Sequence, residues 1–129
     1  MIRYGPLIAL MVGCSWLEPT QPDVILITID TLRADHVQAL NPDAPVQTTN
    51  ISSIANDGVV FTQAFSPISV TAPAFASVMT GLEPGNHGLL MNLFRGGEPL
   101  ASNIDTLAER FSMAGYKTGA FVSGYTLRA

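Results

Sequence analysis

The stretch DVILITID, Asp23 to Asp30, decides the fold. Its apolar and β-branched run from Val24 to Ile29 has no polar face. A strand buried on both sides of a sheet needs such a run. It stops at a carboxylate, Asp30. Beyond it, strand and helix signals alternate. Pro42 and Pro45 mark a loop, and Thr48 or Thr49 can cap a short helix over NISSIAND that stops at Gly58. VVFTQAF, Val59 to Phe65, alternates and is rich in β-branched and aromatic residues, which predicts a second strand. SVTAPAFASVMTG, Ser69 to Gly81, predicts a helix that starts near Thr71, with Pro73 fixing φ early, and ends at Thr80 or Gly81. Glu83 to Pro99 contains Gly85, Gly88, Gly96 and Gly97 and reads as a long loop. NIDTLAERFSMAG carries a helical stripe at Ile104, Leu107, Ala108, Phe111 and Ala114, closed by Gly115. KTGAFVSG supplies a third strand centred on Ala120, Phe121 and Val122. Alternation of this kind predicts an α/β fold, a largely parallel sheet flanked by helices, with Val24 to Ile29 as a buried central strand.

With 129 residues, 47% of them hydrophobic, the chain suffices for one core, a single domain or part of one. Its net charge is -4, and the six basic residues, Arg3, Arg33, Arg95, Arg110, Lys117 and Arg128, are scattered. No basic stripe follows a nucleic-acid backbone, so nucleic acid is not an expected partner. Charged residues make up only 12%, about half the usual share, so much of this surface is expected to be covered by more chain.

MIRYGPLIALMVGCSW reads as a targeting segment. A basic residue, Arg3, precedes an apolar run from Pro6 to Val12, then Gly13 and Cys14, the one cysteine of the chain. The run is shorter than the roughly 20 apolar residues of a spanning helix. Its Val-Gly-Cys end resembles the bacterial lipoprotein signal, in which the cysteine becomes the lipidated first residue of the mature protein. Residues 1–14 are thus expected to be a signal peptide with lipidation at Cys14, residues 15–22 a proline-bearing tether, and residues 23–129 the folded part. On the plainer alternative, Cys14 is a small residue ending an ordinary signal peptide. Either way the protein is expected to be exported to the bacterial cell envelope, periplasmic or at the surface, and the first alternative adds a lipid anchor in a membrane. A single cysteine excludes an internal disulfide and a cysteine-based zinc site.

In open α/β sheets ligands bind beyond the carboxyl ends of the strands. Asp30 closes the first strand and Thr71 stands at the helix start after the second, so both are expected on one rim. A carboxylate beside a hydroxyl at a helix N-terminus suits a hard divalent cation that orients the hydroxyl and offsets the charge of an oxyanion ester. Taken singly, Asp30 can be a turn residue and Thr71 a plain N-cap.

Four segments together resemble the N-terminal part of a sulfatase, in the alkaline phosphatase superfamily. They are DVILITIDTLRADH, TTNISSIANDGVVFTQAFS, TAPAFASVMTGLEPGNHG and IDTLAERFSMAGYKTGAFVSGY, in family order from Asp23 to Tyr125. The resemblance implies an alkaline-phosphatase-like fold, incomplete here, and hydrolysis of sulfate or phosphate esters with a divalent metal, calcium first, magnesium or another divalent ion otherwise. Asp30 matches the first aspartate of the family's metal site and Thr71 its nucleophile position, with Thr31 a further oxygen at the metal. His87, in GNHG, and Arg33 and His36, in TLRADH, match positions near the substrate, although Arg33 can instead pair with Asp35. In sulfatases the nucleophile is a cysteine or serine converted to formylglycine within C/S-x-P-S-R. Here the motif reads Thr71-Ala72-Pro73-Ala74-Phe75, so no formylglycine is expected. Phe75 stands for the family's arginine, Ala74 for its serine, Thr31 for a frequent second aspartate, and Tyr125 for a sulfate-contacting lysine.

Removing one preorganised donor or charge at such a site commonly costs about 2.7–4 kcal/mol. A divalent site of this class takes about six oxygen ligands, more than Asp30, Thr71 and Thr31 supply. The family's remaining ligands lie far beyond residue 129, so an N-terminal fragment, inactive by itself, is expected. Three functions stay open: a metal-dependent ester hydrolase, a degenerate member that binds an anionic ligand or partner, and an anchored interaction module in which Thr71 and Asp30 only cap.

Overall fold

The computed structural model describes residues 21–127. Among them are four α-helices: α1 (Thr49–Asp57), α2 (Thr71–Thr80), α3 (Pro84–His87) and α4 (Leu107–Met113). Single 3-10 turns form at Ala34–His36, Leu93–Arg95 and Tyr125–Leu127.

Helix α2 is the hub, lying beside α3, α4 and the Tyr125–Leu127 turn. Val70 enters it in extended conformation (φ -116, ψ 132), and its carbonyl accepts from Ala74 N at 3.0 Å. Pro73 sits in the first turn, where a missing N–H removes no helical bond. Gly81 ends the helix in the left-handed region at φ 70, donating to Ser77 O at 2.8 Å. A residue with a Cβ pays about 1–2 kcal/mol in that conformation, which is why glycine stands there.

The start of α2 is also where the chain is most buried. Among the described residues, apart from Val37, the buried ones are Ala72 and Leu89, the fully enclosed Pro73, and the polar His87 and Asn92. All five belong to α2 or to the segment from α3 to the Leu93–Arg95 turn.

Helix α4 starts at Leu107, three residues later than the apolar stripe suggests, because Thr106 makes a complete capping box. Glu109 N donates to Thr106 Oγ1 at 3.3 Å, and Thr106 N donates to Glu109 Oε2 at 2.7 Å. At the other end, Gly115 N bonds to Ser112 O and Tyr116 N to Phe111 O, both at 3.0 Å. This is the Schellman arrangement, and its usual hydrophobic contact is present as an edge-on Phe111–Tyr116 pair with centroids 4.9 Å apart.

The sequence reading needs three corrections. The Glu83–Pro99 segment holds α3 and a 3-10 turn, because Pro84 suits a first helical position. The Thr48 side chain does not cap α1; Gln38 N donates to its hydroxyl at 2.9 Å, and Thr48 N donates to Gln38 Oε1 at 2.8 Å. The largest correction concerns the strands. Val24 to Ile29, Val59 to Phe65 and Ala120 to Val122 are in no β-ladder among the described residues. Instead of forming a buried central strand, Val24 to Ile29 is solvent-exposed, with Ile25 at 83% and Ile27 at 74%. Phe61, Phe65 and Phe121 are exposed as well. A parallel strand takes its ladder partners and the cover on both faces from other strand-helix units. No strand forms among the described residues. Asp23 to Gly124 therefore shows helices without the expected sheet layer.

Residues 1–20 fall outside the described residues, and with them the expected signal peptide, the lipidation at Cys14 and most of the tether. Among the described residues no helix is long and apolar enough to cross a membrane.

Candidate active site

The chain turns sharply after the Val24 to Ile29 run, and Thr31 adopts φ 57. It is the one non-glycine residue at positive φ among the described residues. For a β-branched side chain this is a true outlier, of the order of 1–3 kcal/mol. The turn presents the Asp30 carboxylate to the start of α2, where Thr71 Oγ1 donates to Asp30 Oδ2 at 3.4 Å across 41 positions of sequence.

Thr71 is the first helical residue, and its hydroxyl does not cap the helix. That task falls to Asn92, whose Oδ1 accepts from Ala72 N at 2.9 Å. Pro73 has no N–H, so the Ala72 and Pro73 positions of this terminus offer no free donor to an anion. Asn92 is held in turn by its own carbonyl, which accepts from Arg95 N at 2.9 Å and Gly97 N at 3.1 Å. A Cβ at Gly97 would overlap the Met91 carbonyl, so only glycine permits that closure.

The other expected residues lie elsewhere. His87 is buried at 3% exposure. Leu89 N donates to its Nδ1 at 3.1 Å, which assigns the proton to Nε2, and Nε2 donates to Ser77 Oγ at 3.0 Å. Ser77 stands six residues after Thr71, about 9 Å along the helix. Arg33 forks onto Asp35, with Nε 2.9 Å from Oδ1 and a terminal nitrogen 2.6 Å from Oδ2. His36 Nδ1 lies 2.9 Å from the same carboxylate. These hydrogen bonds, Arg33's first, hold the Asp35 carboxyl well below the usual carboxylate range. The turn that carries Tyr125 lies beside α2.

Asn92 and Ser77 escaped the sequence reading. An asparagine between apolar residues and a Gly-Gly pair signals a side chain that bonds backbone, but nothing in the sequence points to Ala72 as its partner.

The donor set can be tested against a cation. Two oxygens at neighbouring vertices around calcium, each about 2.3–2.6 Å from the ion, stand about 3.3–3.7 Å apart. The Thr71–Asp30 separation of 3.4 Å fits that spacing. Among the described residues no group of three or more His, Cys, Asp or Glu side chains could hold a metal ion.

A sulfatase family model matches residues 22–127 of the chain. An arylsulfatase of Clostridium perfringens is 31% identical over 100 residues, covering 76% of this chain and 20% of the relative. An ulvan-active sulfatase of Formosa agariphila is 33% identical over 102 residues, 78% of this chain and 19% of its own. Human arylsulfatase A is 32% identical over 117 residues, 88% of this chain and 22% of its own. No solved structure matches the chain. The chain belongs to the sulfatase family. It spans about a fifth of the length of these relatives. Membership implies an alkaline-phosphatase-like fold and, in general, a divalent metal.

Proposed function

We propose that this chain is the N-terminal portion of a metal-dependent hydrolase of sulfate or phosphate esters, with Thr71 as the nucleophile. The observation that carries it is the 3.4 Å approach of Thr71 Oγ1 to Asp30 Oδ2. Nothing local in the sequence requires a threonine at a helix start to meet an aspartate 41 positions earlier, and the hydroxyl is not used as a cap.

In this reading Asp30 and Thr71 would hold a divalent cation, with Thr31 and residues elsewhere in the protein completing its oxygen shell. A hydroxyl and a carboxylate are hard oxygen donors of the kind calcium or magnesium takes. The cation supplies positive charge that favours the threonine alkoxide and the ester oxyanion. Asp30 orients the Thr71 hydroxyl, and the α2 backbone fixes where that oxygen stands. Arg33 and His36 approach substrate only if they exchange Asp35 for the ester. His87 supports α2 through Ser77. Export, with a lipid on Cys14, places the enzyme in the cell envelope; mass spectrometry of the N-terminal peptide from a membrane fraction tests this, and an unmodified Cys14 in a soluble protein opposes it.

The test is turnover of aryl sulfate and aryl phosphate esters by the whole protein with calcium, compared with Thr71→Ala. Equal turnover by both reduces Thr71 to a structural residue. A second reading, an anion-binding member without catalysis, draws on Phe75 where the family has arginine. It predicts saturable binding of inorganic sulfate or phosphate with no turnover of either ester.

A further inference from the structure

The N-terminal turn of α2 is held from outside by one side chain. Asn92, only 9% exposed, accepts from Ala72 N, the amide next to Thr71. Its own backbone is locked by Arg95 N and Gly97 N on its carbonyl. The Thr71 hydroxyl, one residue before that clamp, makes a long hydrogen bond to Asp30. A 3.4 Å contact between two partly exposed groups does not by itself fix a helix end. The buried Asn92 contact, at 2.9 Å, is the stronger constraint.

We infer that Asn92 is a positioning residue, which sets the Thr71 oxygen against Asp30 by capping Ala72. Its chemistry suits the place. A neutral amide oxygen satisfies the helix donor without adding a negative charge beside Asp30 and an anionic ester. An aspartate caps as well, but it would repel that ester. The choice of asparagine over aspartate thus concerns the ligand as well as the helix. The inference rests on the reading of Thr71 as nucleophile only for its kinetic consequence; its geometric consequence stands apart.

The experiment uses the whole protein with Asn92→Ala and Asn92→Asp, read by crystal structure and by kinetics on an aryl ester with calcium. In N92A the Thr71–Asp30 separation should open beyond about 4 Å, and kcat should fall about 10- to 100-fold with KM little changed. In N92D the separation and kcat should return while KM rises several-fold. Should N92A be too unstable to purify, Asn92→Ser, whose shorter side chain reaches Ala72 N less well, is read by the same Thr71–Asp30 separation and kcat, and an unmoved Thr71 oxygen with wild-type kcat there overturns the inference. An unmoved Thr71 oxygen in N92A, or wild-type kcat in that variant, overturns the inference. If the wild-type protein turns over neither ester, the nucleophile reading fails, and the Thr71–Asp30 separation in N92A alone decides Asn92's role.

Discussion

His87 Nε2 donates to Ser77 Oγ at 3.0 Å and ties the end of α3 to the second half of α2. The imidazole accepts from Leu89 N on its other nitrogen, so both ring nitrogens are used inside the protein. A serine beside a histidine suggests a nucleophile pair, yet this tautomer offers the serine a proton and removes none. His87→Ala should therefore destabilise the protein by about 1–3 kcal/mol, because it leaves the buried Leu89 N–H without an acceptor. Denaturant unfolding of the whole protein measures it, and a change below about 0.5 kcal/mol would show the contact to be incidental.

Thr71→Ala should abolish ester turnover while leaving the fold intact, and Thr71→Ser should keep a measurable fraction, since serine retains the attacking oxygen. Asp30→Asn should weaken calcium binding, measured by titration calorimetry, because a neutral amide replaces the charged ligand. Unaltered calcium affinity in D30N would place the metal elsewhere.

Arg33→Ala should raise the Asp35 titration toward the ordinary carboxylate range, since the Arg33 hydrogen bond is the main cause of its depression and His36 the next. The pair is exposed, so the readout is the side-chain NMR titration, not stability. An Asp35 that titrates equally low in R33A would leave His36 as the dominant partner.

The Thr106–Glu109 capping box gives α4 a pH dependence. The Thr106 N–H first, then its hydroxyl, hold the Glu109 carboxyl below its ordinary value. A depressed carboxyl contributes fully above the unfolded-state pKa and loses its contribution as pH falls through the lowered folded value. Thr106→Ala should raise the Glu109 titration only part of the way, since the residue 106 backbone N–H remains, and the lost cap should cost about 0.5–2 kcal/mol of stability at neutral pH. NMR titration and thermal unfolding of T106A check both.

The 129-residue chain on its own should bind a hydrophobic dye and self-associate, because Ile25, Ile27, Phe61, Phe65 and Phe121 are all more than 70% exposed. The uncharged run Val24 to Ile29 is the segment most suited to intermolecular β-pairing. Ile25→Lys with Ile27→Lys should reduce that association in light scattering. A monomeric wild-type chain without dye binding would contradict it.

Helix ends were legible in the sequence, because their causes are local. Gly81 and Gly115 stop α2 and α4, both at positive φ. The family was legible too, from motifs strung along one line. The strands were legible as a hydrophobic pattern only, since a ladder needs partners that the pattern does not name. α3 and the late start of α4 were missed because a glycine-rich stretch hid Pro84 and the apolar stripe outweighed Thr106 as a cap.

The sequence by itself determined where α2 begins and ends, which hydroxyl stands at its first position, and which carboxylate closes the Val24 to Ile29 run. Only the tertiary structure decided that these two groups meet at 3.4 Å, that Asn92 and not Thr71 caps the helix, and that His87 grips Ser77. Propensity and capping act over three or four residues. Contacts across 10, 20 and 41 positions follow instead from how the turn at Thr31 and the loop before Gly97 bring distant backbone together.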